Sequence, residues 1–250
     1  MFISKTKKIE ELAQKYPERI KELENIFDKK TNIYIDFANI IKWQDKIGWH
    51  FDFKRLKQLF NSFNAINSVK FYSGVIVGRK ESEDFIEEIK KIGYEAHKKP
   101  VKIMRLSIDV SSIPIDSPIL LRDFIRKSLL AKFDLETIEY LNKKLKELND
   151  KGIKFIEDLK CNFDVEIGRD MLIDYEKNGI ENFVLWSGDS DFAEPVNQLK
   201  KDGKKVVIFG TARKISVELS ATKAQIFEIK KIREFICWSR ESKKDPFPGP

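Results

Sequence analysis

The sequence predicts a three-layer α/β/α fold around a mostly parallel, doubly wound sheet, and three observations carry that prediction. Short apolar runs alternate along the chain with longer stretches of helical period. The runs are apolar on consecutive positions, as strands buried on both faces must be. The helical stretches start at Asp or Ser and stop at Gly, the residues that satisfy free amides at one helix end and adopt the left-handed turn at the other.

Residues 5–29 read as an amphipathic helical lead-in, with Ile9, Leu12, Ile20, Leu23 and Phe27 as apolar positions and Pro17 as a break or new first position. The main domain, 30–235, opens with Asn32-Ile33-Tyr34-Ile35-Asp36, a buried strand closed by an acid. Asp52 caps a predicted helix to about residue 63, and Val69-Lys70-Phe71-Tyr72 is the next strand. Ser82–Ile92 is helical and stops at Gly93; a strand follows near 94–96, and 101–104 is a further extended run or hairpin partner. The pattern lapses over 105–116. Ser117-Pro118 restarts a helical stretch to 149, in which Ile138, Leu141, Leu145 and Leu148 share a face and Asp134 begins a second helix. Residues 105–150 are therefore expected to be a helical insertion. A helix from Asp164 to about Asn178 precedes a strand at 183–186, the loop Ser187-Gly188-Asp189-Ser190-Asp191 and a helix at 193–201. A strand at 206–209, a short helix at 216–224 and a strand at 225–229 complete the order. The basic, Pro-rich tail 236–250 is expected to be flexible.

Composition narrows the function. The chain is 42% hydrophobic and 35% charged, the balance of a folded and heavily solvated protein. Its 47 Lys and Arg exceed 40 Asp and Glu, and the net charge of +7 suits a polyanionic partner. Cys161 and Cys237, with no CxxC or Cys/His cluster, exclude a zinc ribbon or disulfide framework and predict reduced thiols in the cytoplasm. The opening Met1-Phe2-Ile3-Ser4-Lys5 meets charge at once, so no secretory signal is expected, and no window is apolar for long enough to span a membrane.

The informative acids sit at strand ends. Asp36 ends the first strand, and Asp189 and Asp191 lie just past a later one. Open α/β sheets bind ligands at the carboxyl ends of their strands, where strand order reverses. Carboxylates gathered there repel one another unless a cation neutralises them, and a hard divalent ion, Mg2+ or Mn2+, suits both them and a phosphodiester. The plainer reading of each Asp is a helix cap. Lys160, His50, His97, Trp43, Trp49 and Trp186 likewise have ordinary readings as surface or core residues, and paired lysines such as Lys98-Lys99 and Lys204-Lys205 as charged faces or a phosphate-tracking surface.

Three segments resemble the NYN family, a branch of the PIN-like nucleases. Asp36-Phe37-Ala38-Asn39 is similar to its DxxN opening. Lys160 to Asp170, with Asp164-Val165 between, resembles its central K-x-x-x-D-V-x(4)-D element, and Ser187-Gly188-Asp189-Ser190-Asp191-Phe192 its SGDSDF segment. The resemblance covers roughly 30–80 and 150–230 and leaves 105–150 outside; Asn162-Phe163 departs from the small residue and Val more usual there. It implies a PIN-like, metal-dependent (endo)ribonuclease with Asp36, Asp164 or Asp170, Asp189 and Asp191 around the metal. Asn39, Ser187 and Lys160 would be supporting or substrate-binding groups, RNA the partner, and the insertion a route to a homo-oligomer. Asp164 and Asp170 are six residues apart, about 240° around a helix, so both cannot face one site if both are helical; an N-cap position would favour Asp164. Haloacid dehalogenase-type phosphatases share a superficially similar GDSxxD segment, but their DxD pair is missing after the first strand, where Phe37-Ala38 follow Asp36. A Toprim-like reading lacks an upstream glutamate motif. A DNA-acting nuclease, or a binding module that has lost catalysis, remains as an alternative.

Overall fold

A computed structural model describes residues 1–211 and 214–238. The described chain forms two compact units: Met1–Val101 together with the residues from Cys161 onward, and Lys102–Lys160.

The first unit begins with helices α1 (Lys7–Lys15) and α2 (Pro17–Ile26). Thr6 caps α1, and Pro17 opens α2 because its ring presets the helical φ and its missing amide would be unpaired there anyway. Strand β1 (Thr31–Asp36) leads into α3 (Phe37–Ile47), then α4 (Phe53–Phe60), β2 (Ile66–Val75), α5 (Lys80–Ile92) and β3 (Glu95–Pro100). Helix α3 was not marked by a separate pattern in the sequence; it follows β1 without a linker, its first turn capped by Asp36 itself.

The second unit pairs β4 (Lys102–Ser107) antiparallel with β5 (Phe155–Lys160) and carries two helices between them, the single turn α6 (Lys127–Leu130) and α7 (Leu135–Asp150). The expected helical insertion is thus bounded by a two-stranded ribbon. Its predicted 118–149 helix is broken into a 3-10 turn at Leu120–Asp123, α6 and α7. The break before α7 lies where Asp134 adopts extended backbone and accepts the Thr137 amide, an N-cap that starts the helix afresh. Two buried asparagines on α7 hold the patternless segment: Asn142 donates to Ile115 and Ser117 carbonyls, and Asn149 bonds Ile108, Val110 and Ile153.

Back in the first unit come α8 (Asp164–Lys177), β6 (Asn182–Trp186), α9 (Ala193–Lys201), β7 (Lys205–Gly210), α10 (Val217–Ala221), β8 (Gln225–Glu228) and α11 (Arg233–Ile236). The six strands form one sheet in the order β3-β2-β1-β6-β7-β8, and every neighbouring pair is parallel. The chain winds outward from β1 through β2 and β3, then returns to lay β6 on the other side of β1. The switch point therefore lies between β1 and β6.

The two-residue period of the strands builds two cores. Ile33, Ile35, Phe71, Trp186 and Phe209 face α1–α5 and α11, whereas Tyr34, Tyr72, Phe183, Leu185 and Ile208 face α8–α10. The helical lead-in belongs to the first core through Ile9, Leu12, Ile20 and Leu23. Of the tail expected from 236 on, residues 239–250 lie outside the described residues. Cys237 bridges to Phe51, and the Trp238 indole donates to the Phe51 carbonyl at 2.8 Å.

Candidate functional site

The switch point gathers the acids. Asp36 is the last residue of β1 and the N-cap of α3, so its carboxylate stands at the sheet's carboxyl edge beside β6. Its Oδ1 accepts the Asn39 amide at 3.3 Å and its Oδ2 the Ser187 hydroxyl at 3.0 Å. This one side chain both caps α3 and reaches the segment that follows β6. Beyond β6, the Ser187 hydroxyl also accepts the Asp189 amide at 3.3 Å, and Asn39 Oδ1 accepts the Gly188 amide at 3.2 Å. The DxxN and SGDSDF segments are thus tied to each other by hydrogen bonds. Gly188 is required by space: a Cβ there would collide with the Lys214 carbonyl. Asp189 caps the 3-10 turn Ser190–Phe192, accepting the Asp191 amide at 3.3 Å.

The third contribution comes from α8. Asp164 is its first residue rather than its N-cap, which is Phe163. The Asn162 side chain accepts the Asp164 amide at 2.8 Å and so fixes the turn into the helix. Asp164 lies near the carboxyls of Asp191, Asp189 and Asp36, all of which oppose its ionisation. Its Oδ2 is buried with no partner.

Electrostatics separates these acids from ordinary caps. Burial pushes the Asp36 carboxyl up to about 6, against the lowering effect of the Ser187 and Asn39 hydrogen bonds, with the Asp189 charge adding to the rise and Lys42 opposing it. Burial, then the neighbouring acids, push Asp164 up to about 7, although its bond with Asn162 opposes this. Lys42, on α3, had no motif to mark it; it follows Asp36 by six residues on the helix that Asp36 caps.

Asp170 turns elsewhere. It is buried, accepts the Tyr72 hydroxyl at 2.8 Å and the Arg169 guanidinium at 2.8 and 3.0 Å, and lies 3.8 Å from His97 Nδ1. His97 is therefore not isolated: its ring stacks on Tyr72 with centroids 4.6 Å apart. One turn further on, Asp174 pairs with Lys70 at 2.9 Å and accepts from Asn32, Tyr34 and Asn178, a group that no sequence motif marked. Lys160 is exposed at the end of β5 in the second unit. The lysines at Lys204 and Lys205 pair with Glu181 and Asp28, and Lys99 with Glu166 at 2.7 Å, while Trp43, Trp49 and Trp186 are core.

The fit of these acids to a divalent cation can be judged from their own chemistry. Two carboxyls raised above their ordinary values and a buried Asp164 Oδ2 with no hydrogen-bond partner fit a site that a cation would stabilise. Among the described residues no three Asp, Glu, His or Cys side chains close into a preformed metal cage. Mg2+ needs none, because it binds through one or two carboxylates and keeps waters and substrate oxygens as its other ligands. The donor set is all oxygen and fits a hard ion.

No helix among the described residues is long and apolar enough to cross a membrane. A crystal structure of a Vibrio parahaemolyticus protein of unknown function is similar in fold, with TM-score 0.50 and 17% identity over 83% of this chain and 96% of that one. The low amplitude and bright protein LabA of Synechococcus elongatus is 24% identical over 218 residues, 86% of this chain and 90% of the relative. Residues 106–230 match the NYN domain. The match lies within the 30–235 domain read from the sequence; it includes residues 106–150 and does not reach Asp36 and Asn39. It spans half of the 250 residues and holds the central and SGDSDF elements in order, and on that ground the chain belongs to the NYN domain family.

Proposed function

We propose that this protein is a Mg2+- or Mn2+-dependent endoribonuclease that hydrolyses RNA phosphodiester bonds by metal-activated water. The observation that carries the reading is the junction of Asp36, Ser187, Asp189, Asp164 and Asp191 at the β1/β6 switch point, with two carboxyls raised to about 6 and about 7. Membership of the NYN family, which comprises RNA-acting nucleases that generally use divalent metals, supports both the reaction and the substrate.

Asp36, Asp164, Asp189 and Asp191 would hold the ion. When bound it offsets charge on the scissile phosphate and lowers the pKa of a water. The protein's own residues set the stage. Ser187 orients Asp36 by donating to Oδ2, and Asn39 fixes the Gly188 amide so that the SGDSDF loop keeps its turn. Asn162 holds Asp164 at the start of α8, where its carboxylate reaches back toward Asp191 and Asp189. The excess of basic residues favours a polyanion, and the two free thiols suit a cytoplasmic setting.

The test is cleavage of a labelled single-stranded RNA and its DNA counterpart in Mn2+, Mg2+ and EDTA. RNA cleavage abolished by EDTA, and reduced at least about a hundredfold by Asp189→Asn or Asp36→Asn with an unchanged circular-dichroism spectrum, is the expected result. Equal rates in wild type and both variants would remove these acids from the chemistry. A second reading is RNA binding without cleavage, favoured by the excess of Lys and Arg over Asp and Glu. It predicts salt-sensitive RNA binding and no product with either metal.

A further inference from the structure

The most exposed large apolar side chains among the described residues are Val165 and Val217, each 82% exposed. Single apolar residues scattered over a surface are ordinary. These two are not scattered. Helices α8 and α10 lead into the parallel strands β6 and β8, so both begin at the carboxyl edge, where the acids gather. Val165 directly follows Asp164 in the first turn of α8. Val217 opens α10 and follows Ser216, whose amide donates to the Gly188 carbonyl at 2.9 Å. Both helices pack on the 3-10 turn Ser190–Phe192, which carries Asp191 and runs directly into α9. With α9 packed between α8 and α10, one valine stands on either side of that turn.

The fold itself gives neither valine a task. A β-branched side chain loses rotamer freedom in a helix, and at this exposure it contributes almost nothing to a core. The backbone beneath each is nevertheless fixed: Asn162 accepts the Asp164 amide at 2.8 Å, and the Ser216 hydroxyl accepts the Leu219 amide at 3.1 Å. A stiff apolar group held beside a phosphodiester site suits the apolar part of a nucleic acid, which is the face of a base. A phosphate at the acids leaves one nucleoside on its 5′ side and one on its 3′ side, so two flanking contacts match it. Valine has no donor or acceptor for a base edge and therefore takes every base alike. It reaches a base face only where the bases are unpaired and splayed, as in single strands.

We propose that Val165 and Val217 are substrate contacts that pack on the bases flanking the scissile phosphate, and that the substrate is single-stranded RNA taken with little regard to sequence. This assignment rests on the nuclease reading and extends it from the phosphate to the neighbouring bases.

Fluorescence anisotropy tests it, using the full chain, a labelled oligouridylate and a baseless ribose–phosphate chain of the same length, with Ca2+ replacing Mg2+ to withhold cleavage. Serine is well tolerated at a helix start, so Val165→Ser and Val217→Ser should keep the fold. Each should weaken oligouridylate binding roughly fivefold, and the pair about twentyfold, as partial burial of a valine on a base predicts. An oligoadenylate should show the same loss. The baseless chain and duplex RNA should bind the double variant as they bind wild type. Single-stranded RNA bound and cleaved equally by wild type and double variant overturns this inference and leaves the nuclease reading standing. An equal loss with the baseless chain also overturns it, because the valines then only shape the acidic site. Self-association of wild type that the double variant loses would assign the pair to a second copy instead. A wild type that neither binds nor cleaves single-stranded RNA overturns the nuclease reading together with this one.

Discussion

Asp164 and Asp174 stand ten residues apart on α8, and their surroundings push their carboxyls in opposite directions. Burial acts on both and pushes both upward. At Asp174 the Lys70 ammonium and hydrogen bonds from Tyr34, Asn178 and Asn32 outweigh it and hold the carboxyl below its ordinary value. At Asp164 the neighbours are Asp189, Asp191 and Asp36, and the carboxyl rises to about 7. A buried acid with its own cation is part of the scaffold. A half-buried acid among other acids, with a buried oxygen that no group of the protein bonds, fits a cation site better than a scaffold.

The largest effect expected from this contrast is on stability. Lys70→Met strips the cation from a carboxylate that is 1% exposed and should cost about 3–5 kcal/mol. In a thermal melt that is a fall of roughly 10 °C. A melting point within a degree of wild type would mean that the hydrogen bonds alone neutralise Asp174.

Asp164→Asn should act with the opposite sign. A carboxyl near 7 in the folded protein and 3.8 in the unfolded chain gives a folded state that binds more protons between those values, so stability falls as pH rises from about 4 through 7. Replacing Asp164 removes that loss, so the variant should melt a few degrees higher than wild type above pH 7 and show a flatter pH dependence. Asp174, held low, contributes stability that is lost only in acid, as pH falls below 3.8. Mn2+ should raise the wild-type melting point above pH 7 by mass action and raise that of Asp164→Asn less. A variant less stable than wild type above pH 7 would show that Asp164 is already compensated.

Ser187→Ala is the smallest change. It removes one donor to Asp36 Oδ2, worth about 1.4 kcal/mol, and should slow cleavage roughly tenfold. The Ser187 bond lowers the Asp36 carboxyl, so its loss should move the acidic limb of the pH–rate profile to higher pH. A slower enzyme with an unmoved profile would place Ser187 in loop structure rather than in setting Asp36.

Most of the first unit was legible because its information is local. Pro17 opens α2, Asp52 caps α4 by accepting the Arg55 amide, and Gly93 ends α5 at a φ of +102°. Consecutive apolar residues at 33–35 and 183–186 mark strands covered on both faces. The second unit was less legible. The strand at Phe155–Lys160 pairs with residues some fifty positions earlier and is exposed throughout, so neither alternation nor burial marks it. Helices α6 and α7 share a helix-forming composition, and only the caps and the buried Asn142 and Asn149 decide where the chain turns between its regular elements.

Alone, the sequence determined the α/β layering, the strand ends that carry Asp36, Asp189 and Asp191, and the set of acids from which a site could be built. These follow from hydrophobic period and capping, which act over a few residues. Only the tertiary structure decided which acids come together. Hydrogen bonding across the β1/β6 switch point joins Asp36 to Ser187, while the turn set by Asn162 presents Asp164 to Asp191 and α8 directs Asp170 to Tyr72. Spacing along one helix limits where a side chain can point, but the partner it meets is set by strands distant in sequence, and that partner decides whether its charge is neutralised.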